Sequence, residues 1–164
     1  MAVVVVWVVE GTWPACVDAA RAHAPEDAEI VLLHVTGHDV ADAAHGAFAG
    51  LLGRGHPERD PGTRVEHLAA ASAESLLHAA AERLGRPCTR TGRTGRVERE
   101  VVAATDGAEL LVLARDGDRS RLGPHSLGSA SRFVVDHAAC PLLLVWPEPA
   151  PDLTTMPPPP PHQG

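Results

Sequence analysis

The feature that most constrains the fold of this chain is its first apolar segment, residues 2–9, which is almost entirely valine and shows no polar alternation. Such a run is typical of a strand that is covered on both faces in a parallel sheet. Four further segments have the character of strands, and helix-length stretches separate most of them. The predicted strands are residues 2–9, 29–36, 87–91, 109–114 and 141–146.

The stretches between these strands predict helices. The clearest covers residues 63–84, where apolar side chains recur at helical spacing and Gly85 follows as a terminator. Strands that alternate with helices imply crossover connections and a parallel sheet. The sequence therefore predicts an α/β fold, an open doubly wound five-stranded parallel sheet with helices on both faces. The remaining predicted helices begin at Pro14, near residue 97 and at residue 128, and residues 37–62 are predicted to form a long crossover loop with local helix.

The chain is predicted to form one domain over residues 1–147. Beyond it, prolines alternate with other residues and then form the run 157–161. Proline cannot donate a backbone hydrogen bond and favours an extended polyproline conformation. We therefore expect residues 148–164 to be a disordered tail.

The composition argues against several classes of function. The net charge is −7, and all 14 basic residues are arginines. Nucleic acid and anionic membranes both attract clustered positive charge, so neither is an expected partner. Without lysine the chain has no phosphate-loop Gly-Lys-Thr and no Schiff base. Aromatic residues make up 3% of the chain and tyrosine is absent, which removes the stacking surfaces of RNA-binding proteins.

Cysteine usage and hydropathy both bear on the compartment. Cys16, Cys88 and Cys140 are odd in number and never form a Cys-x-x-Cys pair, so neither a disulfide framework nor a thiolate zinc site is expected. The apolar segment at residues 2–9 is far shorter than a bilayer span, and no basic segment precedes it. We therefore expect a cytoplasmic protein.

Three separated segments resemble the universal stress protein family. Residues 9–12 (VEGT) are similar to the Val-Asp-Gly-Ser of that family, and residues 109–114 resemble its hydrophobic fourth strand. Residues 128–129 (GS) open a helix, and residues 136–145 (DHAACPLLLV) follow in the manner of the family's closing His-Ala-x-Cys-Pro-Val-Leu-Val-Val. The resemblance covers about residues 2–147 and implies the strand order 3-2-1-4-5.

The resemblance also implies a degenerate ATP-binding loop. Members that bind ATP carry Gly-x-x-Gly, nine residues and then Gly-Ser/Thr, and counting back from Gly128 places Arg115 and Asp118 at the two earlier glycine positions. Glycine is favoured there because backbone amides must approach the phosphates without an intervening Cβ atom. Asp116 and Asp118 add negative charge at this place. The loop arginines, which can offset that charge, are Arg115, Arg119 and Arg121.

The start of the last helix retains free amides and the positive end of the helix dipole, which favour phosphate. Ligands of open α/β sheets bind beyond the carboxyl ends of the strands, here where strands 1 and 4 meet. By resemblance, Glu10 stands where an acidic residue of the family meets the nucleotide or its metal; the alternative is a carboxylate that only begins a helix. We predict weak binding of ATP or another adenine nucleotide, accompanied by Mg²⁺, at the loop between strand 4 and the last helix. The predicted nucleotide-binding residues are Glu10, Gly11, Thr12, Val35, Arg115, Gly117, Arg119, Arg121, Gly128, Ser129, Ala130 and Ser131.

The last strand predicts a homodimer. An apolar strand at the edge of a sheet carries unpaired amides, and pairing with its own copy across a twofold axis would satisfy them. The resemblance implies dimerisation of this kind, and an alternative for the tryptophan is packing against the preceding helix. The predicted interface residues are Leu142, Leu143, Leu144, Val145 and Trp146.

Neither a metal site nor a catalytic residue is predicted. His34, His38 and His45 lack the helical i, i+4 pair with a carboxylate that is usual in zinc enzymes. Ser126 and Ser129 belong to no Gly-x-Ser-x-Gly elbow. The first hypothesis is thus a non-enzymatic stress-response protein whose nucleotide-binding loop controls partner recognition. The alternative is a dimeric interaction module of the same fold that does not bind a nucleotide.

Overall fold

A computed structural model of the chain describes residues 1–37 and 61–162. In these residues five strands alternate with four α-helices, and one short 3-10 helix precedes the last α-helix while another follows the last strand. In chain order the strands and α-helices are β1 (Val3–Trp7), α1 (Trp13–His23), β2 (Glu29–Gly37), α2 (Pro61–Leu84), β3 (Thr89–Gly95), α3 (Val97–Ala104), β4 (Leu110–Ala114), α4 (Ser129–His137) and β5 (Leu142–Val145). The 3-10 helices are Pro124–Ser126 and Leu153–Thr155.

All five strands form one parallel sheet in the order β3-β2-β1-β4-β5. The predicted fold class and strand order are therefore confirmed. The central strand β1 pairs on one side with β2 and on the other with β4, where Val6 lies opposite Val112. β1 and β4 are adjacent, but the connection after β1 leads to β2 on one side and the connection after β4 leads to β5 on the other. The topological switch point of the sheet therefore lies between β1 and β4.

Alternating side chains of the strands fill two cores, one on each face of the sheet. Val4 and Val6 point to the face that packs against α1 and α2, whereas Val5 and Trp7 point to the face covered by α3 and α4. This explains the lack of polar alternation in β1, because both of its faces are buried. The predicted placement of helices on both faces is confirmed.

The third strand is longer than predicted. Residues 87–91 were the expected extent, but β3 runs from Thr89 to Gly95 and pairs with β2 through Gly95. Its sequence, TRTGRTG, is polar because it lies at the edge of the sheet and much of it is exposed to solvent. The expected loop over residues 37–62 falls almost wholly outside the described residues.

Residues of the expected tail contact the loop that follows β4 through two hydrogen bonds. The Nε atom of Arg119 donates a hydrogen bond of 2.6 Å to Oε1 of Glu148, and the amide of Leu122 donates one of 3.0 Å to Oγ1 of Thr155. These contacts lie in the first part of the expected tail; its disorder stays a prediction. Within residues 1–37 and 61–162, no helix is both long and apolar enough to cross a membrane.

Candidate functional site

The candidate site is the edge of the sheet at which β1 and β4 end. Both strands run in the same direction, and the pairing of Val6 with Val112 brings their carboxyl ends to the same level. Residues 10–12 follow β1, and residues 115–128 follow β4 and lead into α4. The two predicted nucleotide-binding segments therefore leave the sheet side by side.

A tight turn connects β1 to α1. The amides of Thr12 and Trp13 both donate to the carbonyl of Val9, at 3.2 and 3.0 Å. Gly11 has a φ of +89°, a conformation that is costly for residues with a Cβ atom. Thr12 is buried and Glu10 is exposed. The turn thus presents backbone and one carboxylate at the candidate site.

The loop after β4 folds back on itself around Gly117. The amide of Gly117 donates to the carbonyl of Ser126, and the amide of Asp118 donates to that of His125, each at 2.8 Å. A Cβ atom at Gly117 would collide with the carbonyl oxygen of His125 and lie 2.9 Å from the carbonyl carbon of Leu127. The close crossing therefore requires glycine at 117, a position that spacing from Gly128 alone does not single out.

Arg115 holds the base of this loop. Its amide donates to the carbonyl of Val145 at 2.9 Å, and Nη1 donates to Oγ of the buried Ser126 at 2.6 Å. The guanidinium also lies over the ring of Trp146, with 4.7 Å between Cζ and the ring centre. Within the described residues, the Nε atom of Arg115 is buried without a hydrogen-bond partner. Arg115 therefore acts as a structural anchor in this structure.

The N-terminus of α4 is occupied by a carboxylate of the loop. Oδ1 of Asp116 accepts a hydrogen bond of 2.7 Å from the amide of Gly128, and Oδ2 accepts one of 2.8 Å from the hydroxyl of Ser131. Ser131 is 1% exposed, whereas Ser129 is exposed and Ala130 is half-buried. Asp116 precedes Gly128 by twelve residues and so belongs to no local capping pattern, and the sequence alone indicates only its negative charge.

The other two loop arginines are paired with carboxylates. Arg119 bonds to Glu148, as described above, and Nε of Arg121 lies 3.6 Å from Oδ2 of Asp118. Asp118 also accepts hydrogen bonds from the hydroxyl and the amide of Ser120, and these bonds hold the pKa of its carboxyl below the usual value. The positive charge of the loop is thus largely engaged within the protein.

Val35, a predicted nucleotide-binding residue, is buried on β2, and its neighbour His34 is half-buried. Val35 is 5% exposed and belongs to the core beneath α3 and α4. The Nδ1 atom of His34 donates a hydrogen bond of 2.8 Å to the carbonyl of Val8. His38 and His45 lie outside the described residues, and among those that are described no three His, Cys, Asp or Glu side chains group as metal ligands would.

The predicted interface residues lie on β5, at the edge of the sheet beside β4. Every residue of β5 is half-buried, as is Trp146. Leu143 and Val145 pack toward the core beneath α1 and α2, whereas Leu142 and Leu144 pack toward the other core.

A cavity of about 1100 Å³ lies away from this place, between α2 and the strands β2 and β3. Thr36, Ala73, Leu77, Arg90 and Thr94 are among its lining residues. Because β2 and β3 lie on the opposite side of β1 from β4, this cavity is separate from the β4 loop. The two locations can be distinguished by experiment.

The chain resembles known proteins in both sequence and fold. Residues 4–145 match the family model described as the universal stress protein family. No curated protein sequence matches the chain.

Several solved structures share the fold at low sequence identity. UspA from Lactobacillus plantarum is 20% identical, with a TM-score of 0.59, and the alignment covers 88% of this chain and 97% of that one. A universal stress protein family protein from Arabidopsis thaliana, solved with AMP bound, is 20% identical, with a TM-score of 0.55 and 96% of each chain covered. A universal stress protein in complex with cAMP is 18% identical, with a TM-score of 0.60, and the alignment covers 90% of this chain and 98% of that one.

Proposed function

This chain belongs to the universal stress protein family, and from that premise we propose that it is a non-enzymatic stress-response protein that binds an adenine nucleotide where β1 and β4 end. The main support for the proposal is that the turn at Gly11 and the loop that leads to Gly128 leave the sheet next to each other. Such a switch point is where open α/β sheets bind ligands. The AMP and cAMP complexes of two proteins with this fold support an adenine ligand.

Binding is proposed to be weak, because the loop after β4 already satisfies many of its own polar groups. Arg115, Arg119 and Arg121 each contact another part of the chain. A phosphate group would therefore have to compete with contacts that exist without it. Glu10 is exposed beside the Gly11 turn and is the carboxylate proposed to meet the nucleotide or an accompanying Mg²⁺.

Calorimetric titration with AMP tests this function, with GMP as the control for the base. We expect AMP to bind and GMP to bind at least tenfold more weakly. The absence of heat at millimolar AMP and ATP would contradict nucleotide binding.

A pair of variants tests the location of the bound nucleotide. Ser129 and Ser75 are both exposed serines on helices, but Ser129 begins α4 and Ser75 lines the cavity beside α2. Ser129→Trp should weaken AMP binding at least tenfold by filling the switch point, and Ser75→Trp should leave it within twofold. The reverse result would place the nucleotide in the α2 cavity.

The second candidate is an interaction module that does not bind a nucleotide. The bonds from Gly128 and Ser131 to Asp116 favour it, because they occupy donors that a phosphate would use. In that case neither AMP nor ATP produces heat, and the β5 surface carries the function.

For either candidate we propose a cytoplasmic homodimer that pairs through the outer edge of β5. The carbonyls of Pro141 and Val145 accept bonds from β4 and from Arg115, so the alternate residues Leu142 and Leu144 direct their backbone groups outward. Light scattering should then give a dimer for the native chain and for Leu144→Ala. Leu144→Pro removes an outward amide and should give a monomer. A monomeric native chain would contradict the proposal.

A further inference from the structure

The polar groups that begin α4 already hold an anion that belongs to the chain itself. The two carboxylate oxygens of Asp116 accept hydrogen bonds from the amide of Gly128 and the hydroxyl of Ser131. Resting on the nucleotide-binding function proposed above, we infer that Asp116 determines specificity: it excludes a phosphate chain from the N-terminus of α4. The ligand class that fits is then an adenine nucleoside or monophosphate, and a triphosphate gains nothing from its additional phosphates.

The geometry around Asp116 matches that of a bound anion. Helix N-termini bind phosphates through free amides and nearby hydroxyls, and a carboxylate with two oxygens can use the same donors. A Cβ atom at Gly128 would lie 3.0 Å from Oδ1 of Asp116, so glycine at this position leaves room for the carboxylate. A phosphate entering here would meet a negative charge and donors that are already engaged.

The loop holds Asp116 in this position. The next two residues, Gly117 and Asp118, bond through their amides to the carbonyls of Ser126 and His125, both at 2.8 Å. Gly117 crosses so close to this segment that no side chain fits between them. The backbone next to Asp116 is therefore fixed, and displacement of the carboxylate from the start of α4 would require rotation of its side chain and the loss of two hydrogen bonds.

An independent observation comes from the loop cations. Oε1 of Glu148, which follows β5, pairs with Nε of Arg119 at 2.6 Å. Oδ2 of Asp118 lies 3.6 Å from Nε of Arg121. These are the charges that would otherwise neutralise a triphosphate. Carboxylates of the chain thus engage both the helix terminus and two loop arginines, which disfavours a highly charged ligand.

Asp118 provides a matched control for Asp116. Both are exposed loop carboxylates two positions apart, but the partners of Asp118 are Ser120 and Arg121 rather than the start of α4. Replacing either residue by alanine removes one negative charge from the loop. The loss of one negative charge therefore acts in both variants, and Asp118→Ala also releases Arg121, whereas opening of the helix N-terminus occurs only in Asp116→Ala.

The test is calorimetric titration of the native chain, Asp116→Ala and Asp118→Ala with adenosine, AMP, ATP and inorganic tripolyphosphate. In the native chain we expect ATP to bind within threefold of adenosine. In Asp116→Ala, affinity for ATP and tripolyphosphate should rise at least tenfold while that for adenosine changes less than twofold. Asp118→Ala should raise ATP affinity less than threefold. Asp116→Asn, which keeps a capping oxygen, serves if the alanine variant unfolds and should give a gain of several-fold.

Each other outcome is decisive. Native binding of ATP tenfold tighter than adenosine, or equal gains in the Asp116 and Asp118 variants, would overturn the role of Asp116, as would no gain in any variant. If no variant binds adenosine or AMP but Asp116→Ala gains tripolyphosphate, the proposed nucleotide function fails while the exclusion of phosphate by Asp116 holds.

Discussion

The guanidinium of Arg115 stacks over the indole of Trp146, with 4.7 Å between Cζ and the ring centre, and so joins the loop after β4 to the end of β5. The same side chain bonds to the buried hydroxyl of Ser126. We predict that Arg115→Met lowers the free energy of unfolding by about 1–3 kcal/mol, since a charged hydrogen bond and a cation–π contact are lost. Chemical denaturation measures this change.

Arg121→Met is the control for that experiment. Arg121 is exposed and forms only a surface ion pair in the same loop, so its loss should cost roughly 0–1 kcal/mol. Equal losses for the two variants would show that Arg115 does not anchor the loop.

The crossing at Gly117 gives a second prediction. Gly117→Ala should destabilise the protein by ~1–3 kcal/mol, because the added methyl group collides with the carbonyl of His125 and forces the loop apart. Gly92→Ala is the control, since a Cβ atom at Gly92 meets nothing within 4 Å. The two unfolding midpoints in urea measure the difference. A tolerated alanine at 117 with an unchanged midpoint would contradict the close crossing.

The sequence predicted most of the fold because its central strands are buried on both faces. Residues 2–9 are nearly all valine for that reason, and the strand order followed from the family resemblance. The extent of β3 was missed because an exposed edge strand such as Thr89–Gly95 carries no apolar signal. Asp116 was missed as a helix cap because loop folding, and not local spacing, brings it to Gly128.

The cysteines differ in their expected reactivity. Burial raises the pKa of the Cys16 thiol to about 12, so at pH 8 roughly one molecule in ten thousand carries the reactive thiolate. Burial also raises the pKa of Cys88 and Cys140, but these two are only half-buried. Iodoacetamide at pH 8, followed by mass spectrometry, should therefore label Cys88 and Cys140 well before Cys16.

Labelling in denaturant is the control for the cysteine experiment, and there all three cysteines should react alike. Early labelling of Cys16 in the native protein would mean that the core between α1 and the sheet opens readily.

The contact between Leu122 and Thr155 predicts local protection of the loop. Thr155→Val removes the hydroxyl that accepts the Leu122 amide, so hydrogen exchange at that amide should accelerate at least fivefold. Thr154→Val is a matched control in the same 3-10 helix, because the bond of Thr154 to Asp152 uses its backbone amide. Amide exchange followed by NMR distinguishes them. Equal exchange in both variants would mean that the segment after β5 does not hold the loop in solution.

We propose that an adenine nucleotide binds where β1 and β4 end. The most direct test is titration of ¹⁵N-labelled protein with AMP, with amide chemical shifts recorded at each step. We expect the largest changes at Gly11, Gly117, Gly128 and Ser129, with little change along β3. Changes confined to Gly92, Thr94 and the facing residues of α2 would place the ligand in the separate cavity and rule out the proposed site.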